Sequence, residues 1–390
     1  MTPALRIGAT GFGLIAVCYG FARFAFGLFL PEIRSDLGLS TSLAGVISGG
    51  AFAAYCVAII VSARCSERFG ARVVAVAAAT VAAAGLLGIA LCTSPVWLAV
   101  FVILAGASTG LASPPLADAV SYAVAPARRD LTNTIINAGT SAGVALSGPF
   151  ALGLGEQWRL VFMIFAATAA ALGVASYLAL PADGSKNGRI DGLGMPPLHA
   201  NLLRLVAASF LMGASSTALW SFGGEIAQAR LDWSTRLTGM LWIAIGAAGI
   251  LGAAAGWMVA RLGINTVHRL FLVALVAGIA MTGLAFTTPT FTLFGGALFG
   301  AAYVMLAGVY LIWGTTTLPD RPGTGLMVGF LTIAVGQTAG APVFGVLMSQ
   351  ASLQTAVCVF AGLGLTPALF RFRAIADCLT GSPKPLGARL

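Results

Sequence analysis

One arginine stands where the chain can least support a charge. Arg23 lies in Tyr19-Gly-Phe-Ala-Arg23-Phe-Ala-Phe-Gly-Leu-Phe-Leu-Pro31, in an apolar run that carries no other charge from residue 7 to residue 31. A guanidinium is costly in hydrocarbon and must face a protein interior or water. Its planar fork suits a carboxylate, sulfonate or phosphate. Arg23 therefore serves as a substrate contact, as a structural or gating partner for other helices, or it snorkels outward. Two carboxylates, Asp118 and Glu225, close other apolar stretches. The uncharged polar and aromatic candidates are Tyr19 near Arg23, then Asn133, Asn137 and Ser141, Ser216 and Trp220, Tyr303, Tyr310 and Trp313, and Gln337. Asn137 and Ser141 stand four apart, as do Ser216 and Trp220, so each pair shares a helix face. In lipid such groups must bond to neighbouring helices or line water. Taken together they outline an amphipathic, aromatic-rich cavity near the bilayer midplane.

The elements that must hold them follow from composition. Of 390 residues, 58% are hydrophobic and 8% charged, whereas a water-facing surface wants about a quarter or more charged residues. A large soluble domain is excluded. A crossing needs about 20 apolar residues, and the uncharged stretches are 37–63, 73–117, 131–155, 160–182, 205–224, 237–260, 270–319 and 322–370, after the first helix with Arg23. Three are long enough to be hairpins, with breaks at Thr93-Ser94-Pro95, Thr287-Thr288-Pro289 and Ser349–Ser352. The spacing predicts an all-α membrane protein of twelve transmembrane helices. Its parts are a six-helix bundle over 1–180, a Gly- and Pro-rich linker over 181–200, a second six-helix bundle over 201–373, and a tail over 374–390.

The halves repeat. LGLSTSLAG at 37–45 matches LDWSTRLTG at 231–239, and Thr93, Pro95 and Gly106 match Thr287, Pro289 and Gly300 at the same offset. Gly139-Thr-Ser-Ala-Gly143 matches Gly336-Gln-Thr-Ala-Gly340 close to it. The same register sets Glu225 level with Pro31, eight residues beyond Arg23 and about 12 Å along the axis at 1.5 Å per residue. Glu225 is thus expected at an outer gate or a solvated helix end. Of the 21 Lys and Arg, sixteen fall on the side of the N-terminus and four (Arg34, Arg159, Arg230 and Arg236) on the other, with Arg23 between. That bias places both termini in the cytoplasm. It also accounts for the net charge of +9 without nucleic acid, since no basic run exists to bind it.

The loop after the second helix reads Ala63-Arg-Cys-Ser-Glu67-Arg68-Phe-Gly70-Ala-Arg72, and the one after the eighth reads Gly256-Trp-Met-Val-Ala-Arg261-Leu-Gly263. Both resemble the G-x-x-x-D-R-x-G-R-[RK] signature of the major facilitator superfamily. The first departs from it by Ala for the leading Gly, Glu for Asp and Ala for a basic residue. The fifth helix, with Gly139-x-x-x-Gly143 and Gly148-Pro149, partly resembles the superfamily's antiporter signature, and the first helix resembles its bacterial YbfB-type branch. The resemblance implies a secondary transporter in which two bundles rock about a central site, helices 1, 4, 7 and 10 supplying most contacts. It implies a plasma-membrane location and a small-molecule substrate. Within it, Glu67, Arg68, Gly70, Arg72, Arg261 and Gly263 form a cytoplasmic latch, with Asp118 and Arg128 or Arg129 as partners.

The expected cargo is a small organic anion or amphipathic metabolite, carried by a monomer, with a coupling proton entering through Asp118, Glu225 or the substrate. Efflux of hydrophobic compounds, and a sensor or scaffold that does not transport, are the rival readings. An enzyme is excluded by the absence of any acid, base, metal or nucleophile cluster within the spans. The six cysteines form no CxxC, and His199 and His268 are expected in separate cytoplasmic loops, so no cofactor or metal is implied. Gly8-Ala-Thr-Gly11-Phe-Gly13 opens a membrane helix and follows no strand, which removes nucleotide binding.

Overall fold

The computed structural model describes residues 2–182 and 199–373. Most of the expected linker, the whole tail, and with them Lys186, Arg189, Cys378, Lys384 and Arg389 lie outside the described residues. Among those described, the chain is helical and has no strand. Twelve spans follow one another: α1 Pro3–Leu37, α2 Thr41–Phe69, α3 Ala71–Leu91, α4 Pro95–Ala123, α5 Pro126–Leu154 and α6 Trp158–Ala179. The second half continues with α7 Ala200–Leu231, α8 Thr235–Leu262, α9 Ile264–Gly283, α10 Pro289–Thr317, α11 Pro322–Gln350 and the shorter α12 Leu353–Leu369. The first eleven are long and apolar enough to cross a membrane. The protein is a multi-span membrane protein of two related six-helix bundles.

The repeat is visible in the helix ends. Ser40 and Ser234 each cap a helix by accepting the amide three residues on, at 3.2 and 3.4 Å. Ser94 and Thr288 do the same before Pro95 and Pro289. Each capping hydroxyl satisfies one of the amides that a helix start leaves without a partner. Gly70 and Gly263, at matching loops, both adopt positive φ, +85° and +77°, where a side chain would be strained.

Two spans depart from regular α-helix. Ala16–Phe24 of α1 winds as a π-helix, closed by the Ala25 amide bonding back five residues to the Gly20 carbonyl. Ile250–Ala254 of α8 tightens to a 3-10 turn.

Enclosure sorts the helices. In α1, 89% of the most apolar window is buried, against 67% in α7 and 61% in α10, while α8 reaches 28%. Thus α1, α7 and α10 line the interior, and α8 presents Leu251 and Trp257 outward, as lipid-facing side chains do.

Between the bundles, α2 packs on α11, α5 on α8 and α1 on α7. These seams are tightest on the face opposite the chain ends. A Cβ added to Gly148 would lie 2.5 Å from the Gly239 carbonyl oxygen, and one on Gly239 would lie 2.6 Å from that of Gly148. Only glycine allows the backbones of α5 and α8 to meet this closely. Ser42 and Ser349 hydrogen-bond across α2 and α11 at 2.7 Å. The far face is closed.

The face carrying the chain ends is looser. Leu131, Ile135 and Leu326, on the inner halves of α5 and α11, are exposed. Here Asn265 of α9 and Asn201 of α7 each exchange a pair of hydrogen bonds with the backbone after α12, at Phe372 (2.8 and 3.0 Å) and Arg373 (3.1 and 2.9 Å).

His268 corrects an expectation. It is fully buried in α9, not in a loop, and its Nε2 meets the Tyr310 hydroxyl at 3.0 Å. Its neighbourhood explains this: Tyr310 and Trp313 of α10 supply the packing and the polar partner that a loop position lacks.

Candidate functional site

Arg23 sits in the last turn of the π segment and is 8% exposed. The wider winding sets its side chain between the two bundles. Its Nη2 donates to the Gln337 Oε1 of α11 at 2.6 Å. Gln337 is fully buried and its Nε2 donates to the Ser216 hydroxyl of α7 at 3.3 Å and the Tyr303 hydroxyl of α10 at 3.2 Å. Every residue of this chain of bonds except Arg23 belongs to the second half. Arg23 Nε is buried without an acceptor.

Aromatic rings enclose the guanidinium. Its central carbon lies 4.5 Å from the Tyr55 ring centre, 4.9 Å from Phe52, 5.1 Å from Phe24 and 5.7 Å from Tyr19. Ring faces carry negative potential and attract a cation. They stabilise Arg23 without neutralising it, and no carboxylate pairs with it among the described residues. Trp220 stacks on Phe24 at 4.0 Å and meets Tyr303 edge-on at 5.1 Å. Its indole N–H is also buried without an acceptor. Tyr19, half-buried, bonds to Ser113 of α4 at 3.0 Å.

Of the residues expected to meet substrate, six therefore converge: Tyr19, Arg23, Ser216, Trp220, Tyr303 and Gln337. Three do not. Tyr310 is fully buried inside the second bundle, bonded to His268 and to the Ala208 carbonyl at 3.3 Å, and Trp313 lies with it. Two turns of α10 below Tyr303, they face α7 and α9 rather than the centre. Asn137 is exposed and donates to the Asn133 carbonyl of its own helix, and Ser141 packs against Gly249 of α8. Phe52 and Tyr55 of α2 join the cluster without having been singled out. α2 and α11 contribute more side chains than α4.

Glu225 is 6% exposed and accepts from Arg34 Nη1 at 2.5 Å. This ion pair ties the end of α1 to α7 at the closed face, and Thr235 of α8 adds a 3.2 Å bond to Glu32. Arg34 also donates through Nε to the Leu39 carbonyl at 3.0 Å, which steadies its fork. The register that set Glu225 level with Pro31 already put Arg34 within a turn of it.

The expected latch is not assembled. Glu67, Arg68, Asp118 and Arg128 are exposed. Arg68 lies over Phe69, and Arg129 bonds to the Val124 carbonyl instead of to Asp118. Arg72 donates to the Leu180 carbonyl at 2.6 Å, within its own bundle, and Arg261 lies over Trp257. Among the described residues no hydrogen bond or ion pair joins Glu67 or Arg68 to Asp118, Arg128 or Arg129.

A bundle of membrane spans whose polar side chains converge between two halves, closed at one face and loose at the other, has the build of a membrane transporter and not of an enzyme. The chain belongs to the Major Facilitator Superfamily, whose family profile matches residues 12–341. Its fold is similar to that of a D-xylose-proton symporter, with TM-score 0.77 and 14% identity over 94% of this chain and 96% of that one. It is similar also to the nucleoside transporter NupG, with TM-score 0.73 and 16% identity over 95% and 98%. The human organic anion transporter MFSD10 gives TM-score 0.67 and 17% identity over 95% and 100%. No curated protein matches the sequence. The family establishes secondary transport in general terms.

Proposed function

We propose that this protein carries a small organic anion or amphipathic metabolite across the plasma membrane by alternating access, with Arg23 as the charge-recognising group. One observation carries the reading: a buried guanidinium between the bundles, ringed by aromatic side chains and paired with no carboxylate among the described residues. An isolated cation in such a place is costly, and a bound anion would offset that cost. Tyr19, Ser216, Trp220, Tyr303 and Gln337 supply the remaining polar and apolar contacts. Asn137 and Ser141 stand on α5 outside this cluster, Ser141 packed against α8. The Arg34–Glu225 pair serves as the gate of the closed face, taken as the outer one from the charge bias of the loops. Both termini are cytoplasmic, the bundles divide at 181–200, and the transporter works as a monomer. A coupling proton, where one is used, enters at Glu225, at Asp118 or on the substrate itself.

Arg23→Ala in proteoliposomes tests this. Uptake of the transported anion should fall by at least about tenfold, the equivalent of 1.4 kcal/mol, and Arg23→Lys should recover only part because a point charge replaces the fork. A folded Arg23→Ala protein with unchanged anion uptake refutes the binding role. The aromatic lining favours a second reading, efflux of neutral hydrophobic compounds, and transport indifferent to Arg23→Ala would favour it.

A further inference from the structure

We infer that Gln337 is a built-in stand-in for the substrate's carboxylate: its amide oxygen occupies the Arg23 guanidinium until an anion displaces it. This rests on the reading of Arg23 as the anion-recognising group and says how that group is kept when no anion is bound.

The geometry has three parts. The Gln337 oxygen offers Arg23 Nη2 what a carboxylate would offer, a planar acceptor at 2.6 Å, but without charge. The amide N–H groups go to Ser216 and Tyr303, which sets the oxygen toward the guanidinium. Both holders lie in the same half of the chain as Gln337, so the amide travels with the second bundle and Arg23 with the first. The bond joins them through a neutral acceptor.

The bridge is also incomplete. Arg23 Nε finds no acceptor, so one oxygen serves a fork built for two. A carboxylate brings the second oxygen and an opposite charge, so it can pair bidentately with the fork, the strong geometry for a guanidinium. An anion therefore displaces the amide, leaves Gln337 on Ser216 and Tyr303, and cuts the link from α1 to α11. The rings of Phe24, Phe52 and Tyr55 suit a flat apolar body beside the carboxylate. The Trp220 N–H, next to Phe24 and without an acceptor, is a second donor for it. The ligand class is a flat monocarboxylate. A neutral amide of the same shape gains nothing over Gln337.

Equilibrium binding of radiolabelled benzoate to the purified full chain, with benzamide as competitor, tests the inference in wild type, Gln337→Ala, Gln337→Glu and each combined with Arg23→Ala. Removing the stand-in should tighten benzoate binding by about tenfold, because the apparent affinity is reduced by the fraction of sites already occupied. Gln337→Glu, which offers Arg23 a fixed carboxylate, should weaken it by about tenfold or more. Arg23→Ala should abolish binding in every background, and benzamide should compete with none. Opposite effects of Ala and Glu support the proposal, since a residue needed only for packing would weaken binding both ways.

Equal or weaker binding in a folded Gln337→Ala protein overturns it. So does the absence of binding in both wild type and Gln337→Ala, because an uncovered guanidinium must accept an anion. If wild-type binding is lost in Arg23→Ala yet unmoved by either Gln337 variant, the stand-in fails while the role of Arg23 stands. Binding that survives Arg23→Ala removes both.

Discussion

Replacing Glu225 with Gln deletes one charge at the closed face and little else. The pair it breaks is intermediate in burial, with side-chain exposures of 24% for Arg34 and 8% for Glu225, and the contact is short at 2.5 Å. Exposed ion pairs contribute about 0–1 kcal/mol, and breaking a buried one costs about 3–5 kcal/mol. Gln keeps an acceptor for Arg34, so the loss should lie between these, at about 2 kcal/mol. The pair joins α1 to α7, and on the proposed gating role it exists only while the far face is shut. The whole loss therefore falls on the closed state, and the ratio of closed to open molecules should drop roughly 30-fold.

Ser42 and Ser349 provide the assay, because their hydroxyls meet across α2 and α11 at 2.7 Å. With the native cysteines replaced, Ser42→Cys and Ser349→Cys should form a disulfide at a rate set by the closed fraction. Glu225→Gln should slow it, Arg34→Ala should slow it similarly, and the double variant should add little to either, since both remove one interaction. A cross-linking rate unchanged by both single variants refutes the gate.

Gly148→Val should act on the same equilibrium by a steric route. The added side chain meets the Gly239 carbonyl at 2.5 Å from its first atom, so the far face cannot close, and the Ser42–Ser349 cross-link should be nearly lost in protein that still elutes as the folded wild type does. Tyr310→Phe should behave in the opposite manner. It removes the hydrogen bonds to His268 and Ala208 inside one bundle, so thermal stability should fall by about 1–3 kcal/mol while benzoate affinity and cross-linking stay as in wild type.

The helices were legible because charge is so scarce that its gaps mark the spans. The hairpin breaks fall where Ser94, Thr288 and Ser352 cap the following helix. The site was legible in part. Polarity within an apolar run singled out Arg23, Ser216 and Gln337, because each must find a partner. It could not say which partner. Tyr303 and Tyr310 lie seven residues apart on one helix, yet one reaches the centre and the other faces α9, a difference set by neighbours and not by spacing. Tyr55 gave no signal because an aromatic residue in a membrane span is ordinary until a cation is found beside it. The latch signature was present in sequence, yet its motif residues find other partners, Arg68 over Phe69 and Arg72 on the Leu180 carbonyl.

The π segment of α1 has a consequence for descent. A ladder bonded five residues back holds an extra residue where an α-helix would hold none, so it is a place where a single-residue insertion or deletion can be absorbed. A cousin lacking that residue would wind normally through the stretch. Everything beyond it would then be turned by about 100°, one residue's rotation. Its counterpart of Arg23 would face a different helix and demand a different companion at the position of Gln337. Comparisons among relatives should therefore break register within 16–24, and the residue opposite the arginine should change in step with that break.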